Sequence, residues 1–404
     1  MSAQNESVVT RVDVHVFRAP IATPVVNAFG AMRNRPMALV SIEDGDGITG
    51  WGEIWCNFPV VGAEHRARLV ASVLAPLLVG RTTGDPASGF AHLARTVASQ
   101  VLQTGEPGPF GACLAAIDQA LHDLAARRAA VPLWRYLGAP HERAVPPQAR
   151  IPPPGGQRSG EAASERGPVK CVPVYASGLG PDGAGPVAQQ AWQRGFRAFK
   201  LKVGFGREHD LANVRALRES LPVRSTVMVD ANQAWPIDEA QTMARLLAEF
   251  DLTWLEEPIA ADRPPAEWQT LASASPVPLA AGENLCSASR LDAAIASGAL
   301  RVLQPDIGKW GGFSQILPIA RRAVQAGMRF CPHWLGGGIG LIASMHLRVA
   351  AGGDGYVEWD ANPNPLREAF ALPGVVDGSV VLSDAPGLGL VPDLRALEAY
   401  RVSL

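Results

Sequence analysis

Apolar and polar residues alternate with two different periods along this chain. Between residues 8 and 56, VTRVDVHVF, MALVSIED and ITGWGEIW carry strand-type alternation and predict a three-strand meander. Asp44-Gly45-Asp46-Gly47 supplies turn chemistry between the second and third strands. A long loop is expected between the first two strands, over 19–36. Helical spacing follows over 64–79, 86–103 and 110–128, and Val131-Pro132 stops the last of these. Strands followed by helices predict a separate α+β domain over 1–145. Residues 146–170 are rich in Pro, Gly, Ser and charge and read as a linker or surface excursion.

From Cys171 the pattern changes. CVPVYAS is followed by short apolar runs near 197–202, 226–230, 252–256, 278–283, 301–306, 328–333 and 355–358. Helical stretches such as DLANVRALRESL and GFSQILPIARRAVQAG separate them. Eight strands alternating with helices predict a parallel sheet with right-handed crossovers, closed into a barrel over 171–380. The eighth helix is poor, since ANPNPLREAF is loop-like. The tail, 381–404, is expected to return to the first domain.

The strand ends carry chemistry. Lys202, Asp230, Glu256, Glu283, Asp306, His333 and Glu358 recur every 23 to 28 residues, each at or near the end of an apolar run. A barrel gathers such positions at one rim, where barrel enzymes keep their active sites. Asp230, Glu256 and Glu283 on three consecutive strands would repel one another at low dielectric. A divalent cation removes that cost, and all-oxygen donors suit Mg2+ first and Mn2+ second. Any one of these acids alone could be a solvated loop acid or a helix cap; three on consecutive strands point to a shared cation. Lys200 and Lys202 share one face of a strand, and each would lower the pKa of the other, which suits a basic lysine. Asp306 and His333 end neighbouring strands, so the carboxylate can fix the imidazole tautomer. A protonated Glu358 could donate to a substrate oxygen.

Other features count for less. The turn holding Gly336, Gly337, Gly338 and Gly340 has no phosphate-loop lysine or serine and is expected to admit close approach of a ligand. Lys309 lies past the sixth strand. Trp51, Trp55 and Trp334 are candidates for lining a pocket.

Composition narrows the partners. A formal net charge of -2 gives no basic field for nucleic acid, and no 18-residue apolar run suggests a membrane span. Five scattered cysteines without a CxxC pair, and no secretory signal, suggest a reducing cytoplasm.

The motifs KLK, DANQAW, LEEP, GEN, QPDIGKWGG and PHW, in this order, resemble the mandelate racemase subgroup of the enolase superfamily. The resemblance implies an α/β fold: a modified (β/α)7β TIM barrel with an N-terminal α+β capping domain. It implies Asp230, Glu256 and Glu283 as Mg2+ ligands. Lys202 and the His333–Asp306 pair would be acid/bases on opposite faces of the substrate carbon. Lys200 would neutralise the substrate carboxylate, and Glu358 would hydrogen-bond the enediolate. Asn232 stands beside a ligand. Arg33, Arg35, Trp55 and Asn57 lie in the variable loops of the cap, which with Trp334 would meet the substrate. The substrate would be a small carboxylate, and homo-oligomers, often octamers, are usual in the family.

The implied first step is removal of the proton α to a carboxylate. Dehydration of an acid sugar to a 2-keto-3-deoxy acid is the favoured outcome, with racemisation or epimerisation of a 2-hydroxy acid as the alternative. Asp306 stands where cycloisomerases and dipeptide epimerases would carry a sixth-strand lysine. A metal-dependent barrel hydrolase is less favoured, because only His333 among the histidines ends a strand.

Overall fold

The computed structural model describes residues 7–82, 84–138 and 170–404. All of the 146–170 stretch except Lys170 lies outside them.

The first unit opens with β1 (Val9–Asn27), β2 (Gly30–Asp44) and β3 (Thr49–Ile54). The loop expected over 19–36 is instead a continuation of the β1–β2 hairpin, paired as far as Asn27↔Gly30. The hairpin is irregular between Pro20 and Val25, where two prolines break the period-2 signal while the strands still pair. Helices α1 (Gly62–Leu69), α2 (Ala75–Leu78), α3 (Pro86–Thr104), α4 (Pro107–Arg128) and α5 (Leu133–Tyr136) follow. Asp85 caps α3 by accepting from the Ala87 and Ser88 N–H groups, and left-handed Gly105 ends it. Helix α4 packs on the sheet so closely that a Cβ on Gly52 would lie 2.0 Å from the Ala116 carbonyl oxygen.

The second unit alternates β4 (Cys171–Leu179), α6 (Ala184–Gln193), β5 (Ala198–Lys202), α7 (Arg207–Ser220), β6 (Thr226–Asp230), α8 (Ile237–Leu247), β7 (Leu255–Glu256), α9 (Pro265–Ala274), β8 (Leu279–Ala281), α10 (Ala288–Ser297), β9 (Val302–Leu303), α11 (Gly312–Gln325), β10 (Arg329–Phe330), α12 (Gly338–Ala351) and β11 (Val357–Asp360). The parallel ladder runs β10-β9-β8-β7-β6-β5-β4-β11. Tyr356 N–H donates to Cys331 Sγ across the remaining seam, at 3.3 Å. After β11 the eighth helix shrinks to α13 (Pro365–Glu368), and β12 (Ser379–Val381) pairs antiparallel with β4. The chain then returns to the first unit, where β13 (Arg401–Val402) pairs with β1.

The core of the barrel interior is small and aromatic, with Tyr175, Met228, Trp254, Ala280, Val302 and Cys331 buried together. The larger apolar mass lies between the strands and the surrounding helices, the layering of a barrel. Among the described residues no helix is long and apolar enough to cross a membrane.

Candidate active site

Strand register lines up the strand-end residues. Lys202 is paired with Asp230, and Asp230 with Glu256, in neighbouring strands. An isolated parallel bridge joins Asp306 to His333 just beyond β9 and β10. All eight residues of the group, counting Lys200 and Glu358, sit at the same end of the sheet and contact one another through charge.

Lys200 is fully buried, with its Nζ 2.6 Å from Glu256 Oε1, 3.0 Å from Glu358 Oε1 and 3.7 Å from Asp230 Oδ2. Lys202 Nζ donates to Asp230 Oδ2 at 2.5 Å. Glu283 Oε2 lies 2.9 Å from both His333 Nε2 and Lys309 Nζ. His333 Nδ1 is 2.6 Å from Asp306 Oδ2, and Asp306 Oδ1 accepts from the Gly308 N–H at 2.7 Å. The row Asp230–Glu256–Glu283 is therefore flanked by Lys202 at one end and His333 at the other.

The electrostatics follow from these contacts. Burial works against the charged form of Lys200, but Glu256, Glu358 and Asp230 outweigh it and hold its pKa well above the ordinary value. Lys202 is likewise raised: burial and its lysine neighbour work against the charge, but Asp230, Glu358 and Glu256 together outweigh them. The mutual lowering expected of the two lysines is thus overridden by the acids around them. Burial raises Glu256 to about 7, with Asp230 and Glu358 adding to it against Lys200. Burial also works against ionised Glu358, yet Lys200 and His333 hold its pKa below the usual range. In this arrangement Glu358 is an acceptor, and the protonated donor expected of it is not favoured. Burial opposes a charged His333, but Glu283, Glu358 and Asp306 raise its pKa well above the ordinary value.

Among the described residues, no three His, Cys, Asp or Glu side chains converge on one point as they now lie, because each carboxylate is turned onto a cation of the chain. The donor chemistry nevertheless fits a hard divalent ion. The three acids are buried and offer only oxygen. Beside them Asn232 Oδ1 is a buried acceptor without a hydrogen-bond partner, while its N–H and Nδ2 are committed to Asp230.

The expected substrate-facing residues divide sharply. Arg35 is not a free arm: it is 2% exposed, with Nη2 2.6 Å from Asp360 Oδ2 and Nε donating to the Pro363 carbonyl. Asn57 is also buried and donates Nδ2 to the Leu335 carbonyl at 2.6 Å. Trp334 is buried, donates Nε1 to the Gly337 carbonyl and fills the space over Gly308, Gly336 and Gly340. Arg35 and Asn57 tie the first unit to segments some 280 to 330 residues away, while Trp334 braces its own turn. Trp51 is buried too. Arg33 remains exposed. Trp55 is half-buried with its indole under Lys309 Nζ, 4.5 Å from the ring centroid.

The glycine-rich turn does not make room for a ligand. Its space is taken by Trp334, Met37 and Phe370, and its amides at Gly337 and Gly340 donate to the Glu53 carboxylate. Burial raises Glu53 to about 7 against those amide donors. Lys309, set aside on its position, reaches Glu283 and Asn284 Oδ1. The turn after β9 folds it back over the site, and its place three residues past Asp306 was the available signal.

Comparison with known proteins agrees with this architecture. Residues 10–138 match the Mandelate racemase / muconate lactonizing enzyme N-terminal domain, and residues 186–396 the Enolase C-terminal domain-like family. D-galactarolactone cycloisomerase of Agrobacterium fabrum is 29% identical over 404 residues, covering 98% of this chain and 99% of its own. L-talarate/galactarate dehydratase of Salmonella typhimurium is 29% identical over 384 residues, covering 92% and 85%. A crystal structure of a mandelate racemase/muconate lactonizing enzyme from Bordetella bronchiseptica RB50 is 46% identical, covers 98% and 99%, and superposes with a TM-score of 0.85. A racemase from Streptomyces coelicolor A3(2) with bound magnesium is 29% identical, covers 98% and 100%, and has a TM-score of 0.81. On fold, site geometry and these matches together, the chain belongs to the mandelate racemase/muconate lactonizing enzyme family of the enolase superfamily of enzymes.

Proposed function

We propose that this enzyme removes the proton α to the carboxylate of a sugar acid and expels the oxygen on the adjacent carbon, giving a 2-keto-3-deoxy acid. The observation that carries the reading is the row of three buried acids with Lys202 at one end and the Asp306-held His333 at the other. Asp230, Glu256 and Glu283 would hold Mg2+, with Mn2+ as the substitute, once they exchange their lysine and histidine contacts for the ion. The bound ion supplies positive charge to the substrate carboxylate as its α carbon loses a proton.

The chain's own residues do the rest. With Asp230 turned to the ion, Lys202 would lose the carboxylate that most raises its pKa, and in its neutral form it takes the α proton. Lys200 opposes the charge that grows on the carboxylate oxygens. His333 donates its Nε2 proton to the departing oxygen while Asp306 keeps Nδ1 protonated and the ring in place. The C–H and C–O bonds break, the enol forms, and tautomerisation gives the ketone.

If the departing oxygen belongs to a ring, the same step opens the ring and the molecular formula is unchanged. The likeness to D-galactarolactone cycloisomerase across nearly the whole chain favours keeping this second reading, although Asp306 stands where a sixth-strand lysine would be. Delivery of the His333 proton back to the α carbon would instead racemise a 2-hydroxy acid. A hydrolase with several histidine ligands has little support, because only His333 joins the acid row among the described residues.

Incubation with Mg2+ and a library of sugar acids and their lactones in D2O separates these outcomes. Loss of water with a keto acid product supports dehydration; a keto acid of unchanged mass supports ring opening; exchange with inversion alone supports racemisation. Lys202→Ala and His333→Asn should each lower turnover by about 10²–10⁴-fold. No α-proton exchange from any of these acids would sink the proposal.

A further inference from the structure

The loops that carry the Asp306–His333 pair are held from outside the barrel. Glu53, on β3, is 1% exposed. Its two carboxylate oxygens accept the N–H groups of Gly337 and Gly340, the latter at 2.9 Å, at the start of α12. A Cβ on Gly337 would come within 2.7 Å of a Glu53 oxygen, so the turn closes directly on the carboxylate. His333 stands four residues before Gly337.

A second brace runs beside the first. Gln119, on α4, accepts the Glu53 N–H at 3.2 Å and donates Nε2 to the Glu53 carbonyl at 3.3 Å. The same Nε2 donates to the carbonyl of Ile307, the residue after Asp306, at 3.2 Å. One strand and one helix of the first unit therefore grip both the loop after β9 and the loop after β10. The 2.6 Å contact between Asp306 and His333 depends on how those two loops sit relative to each other.

We propose that Glu53 and Gln119 are positioning residues for the His333–Asp306 pair. Neither touches the reacting atoms. The carboxylate suits its place because backbone amides at a helix start favour an anion. The carboxamide suits its place because it can donate and accept at once. The inference rests on His333 acting as the proton donor proposed above, but the geometry it concerns can be read without substrate.

The test uses the full chain carrying Glu53→Gln or Gln119→Met. Glu53→Gln keeps the size but turns an NH2 group toward amide donors. Gln119→Met leaves the carboxylate in place, and decides the matter should the first variant be too unstable. In each, kcat should fall about 10- to 100-fold, the scale of a misplacement near 1 Å, with KM within about threefold. The downfield Nδ1–H resonance of His333 should broaden or move upfield, which loss of bulk stability alone would not do. Wild-type kcat together with an unchanged Nδ1–H resonance in both variants overturns the proposal. If the unaltered protein turns over no hydroxy acid, the functional reading fails, and the resonance still decides whether these residues position His333.

Discussion

Replacing Arg35 with methionine separates a structural arginine from a substrate-binding one. The side chain keeps its apolar stem but loses the guanidinium that sits 2.6 Å from Asp360 Oδ2, both groups being 2% exposed. Removing one member of a buried ion pair costs about 3–5 kcal/mol, because the remaining charge stays buried. Here Arg367 Nη1 still lies 3.2 Å from the same oxygen, and Asn362 still donates to Asp360 Oδ1. The expected loss is therefore about 2–4 kcal/mol, or roughly 4–16 °C in melting temperature for a domain of this size. The pH dependence adds a second signature. Burial works against the Asp360 carboxylate, but Arg35 and Arg367 outweigh it and hold its pKa below the ordinary range. A depressed carboxyl contributes stability that is present above its unfolded pKa and lost as pH falls through the folded one. In Arg35→Met the folded pKa moves up toward the unfolded one, so that acid loss should be smaller and should end at higher pH. Urea melts between pH 3 and pH 8, run beside steady-state kinetics, would check this. A large rise in KM without loss of stability would refute the structural reading and return Arg35 to the substrate.

Three further outcomes are expected. Burial lowers His346 to about 4, with Trp134 N–H donating to Nδ1 and Nε2 facing the Leu388 carbonyl. Its contribution is complete above the unfolded value of 6.5 and is lost as pH falls toward 4, on the order of 3 kcal/mol, so His346→Asn should flatten the stability profile over that window. Gly340→Ala would place a Cβ 2.0 Å from the Trp334 ring and should cost about 3 kcal/mol or more in a urea melt; a neutral result would mean that the turn has room to spare. Magnesium at a hundredfold excess over its Kd should stabilise the protein by about 2.7 kcal/mol, and Asp230→Asn or Glu283→Gln should abolish most of that rise in a thermal melt.

The barrel was legible because its signal is local and repeated. Each unit needs a short apolar strand followed by an amphipathic helix, and both periods can be read within one window of sequence. Strand ends then fall at a regular stride, so Asp230, Glu256, Glu283, Asp306, His333 and Glu358 could be assigned to one rim before any contact was known. The antiparallel first unit was legible for the same reason, except across 19–36, where Pro20 and Pro24 hide a hairpin that pairing sustains.

What only tertiary structure decided is how each polar side chain is satisfied. Arg35 meets Asp360 across 325 residues, Glu53 meets Gly337 across 284, and Gln119 meets Ile307 across 188. No periodicity reports such pairings, since a buried charge takes whichever partner the packed chain brings to it. The residue types and their stride set out the barrel and its row of acids. The long-range contacts determined which of the polar residues outside that row are buried and lock the first unit to the barrel.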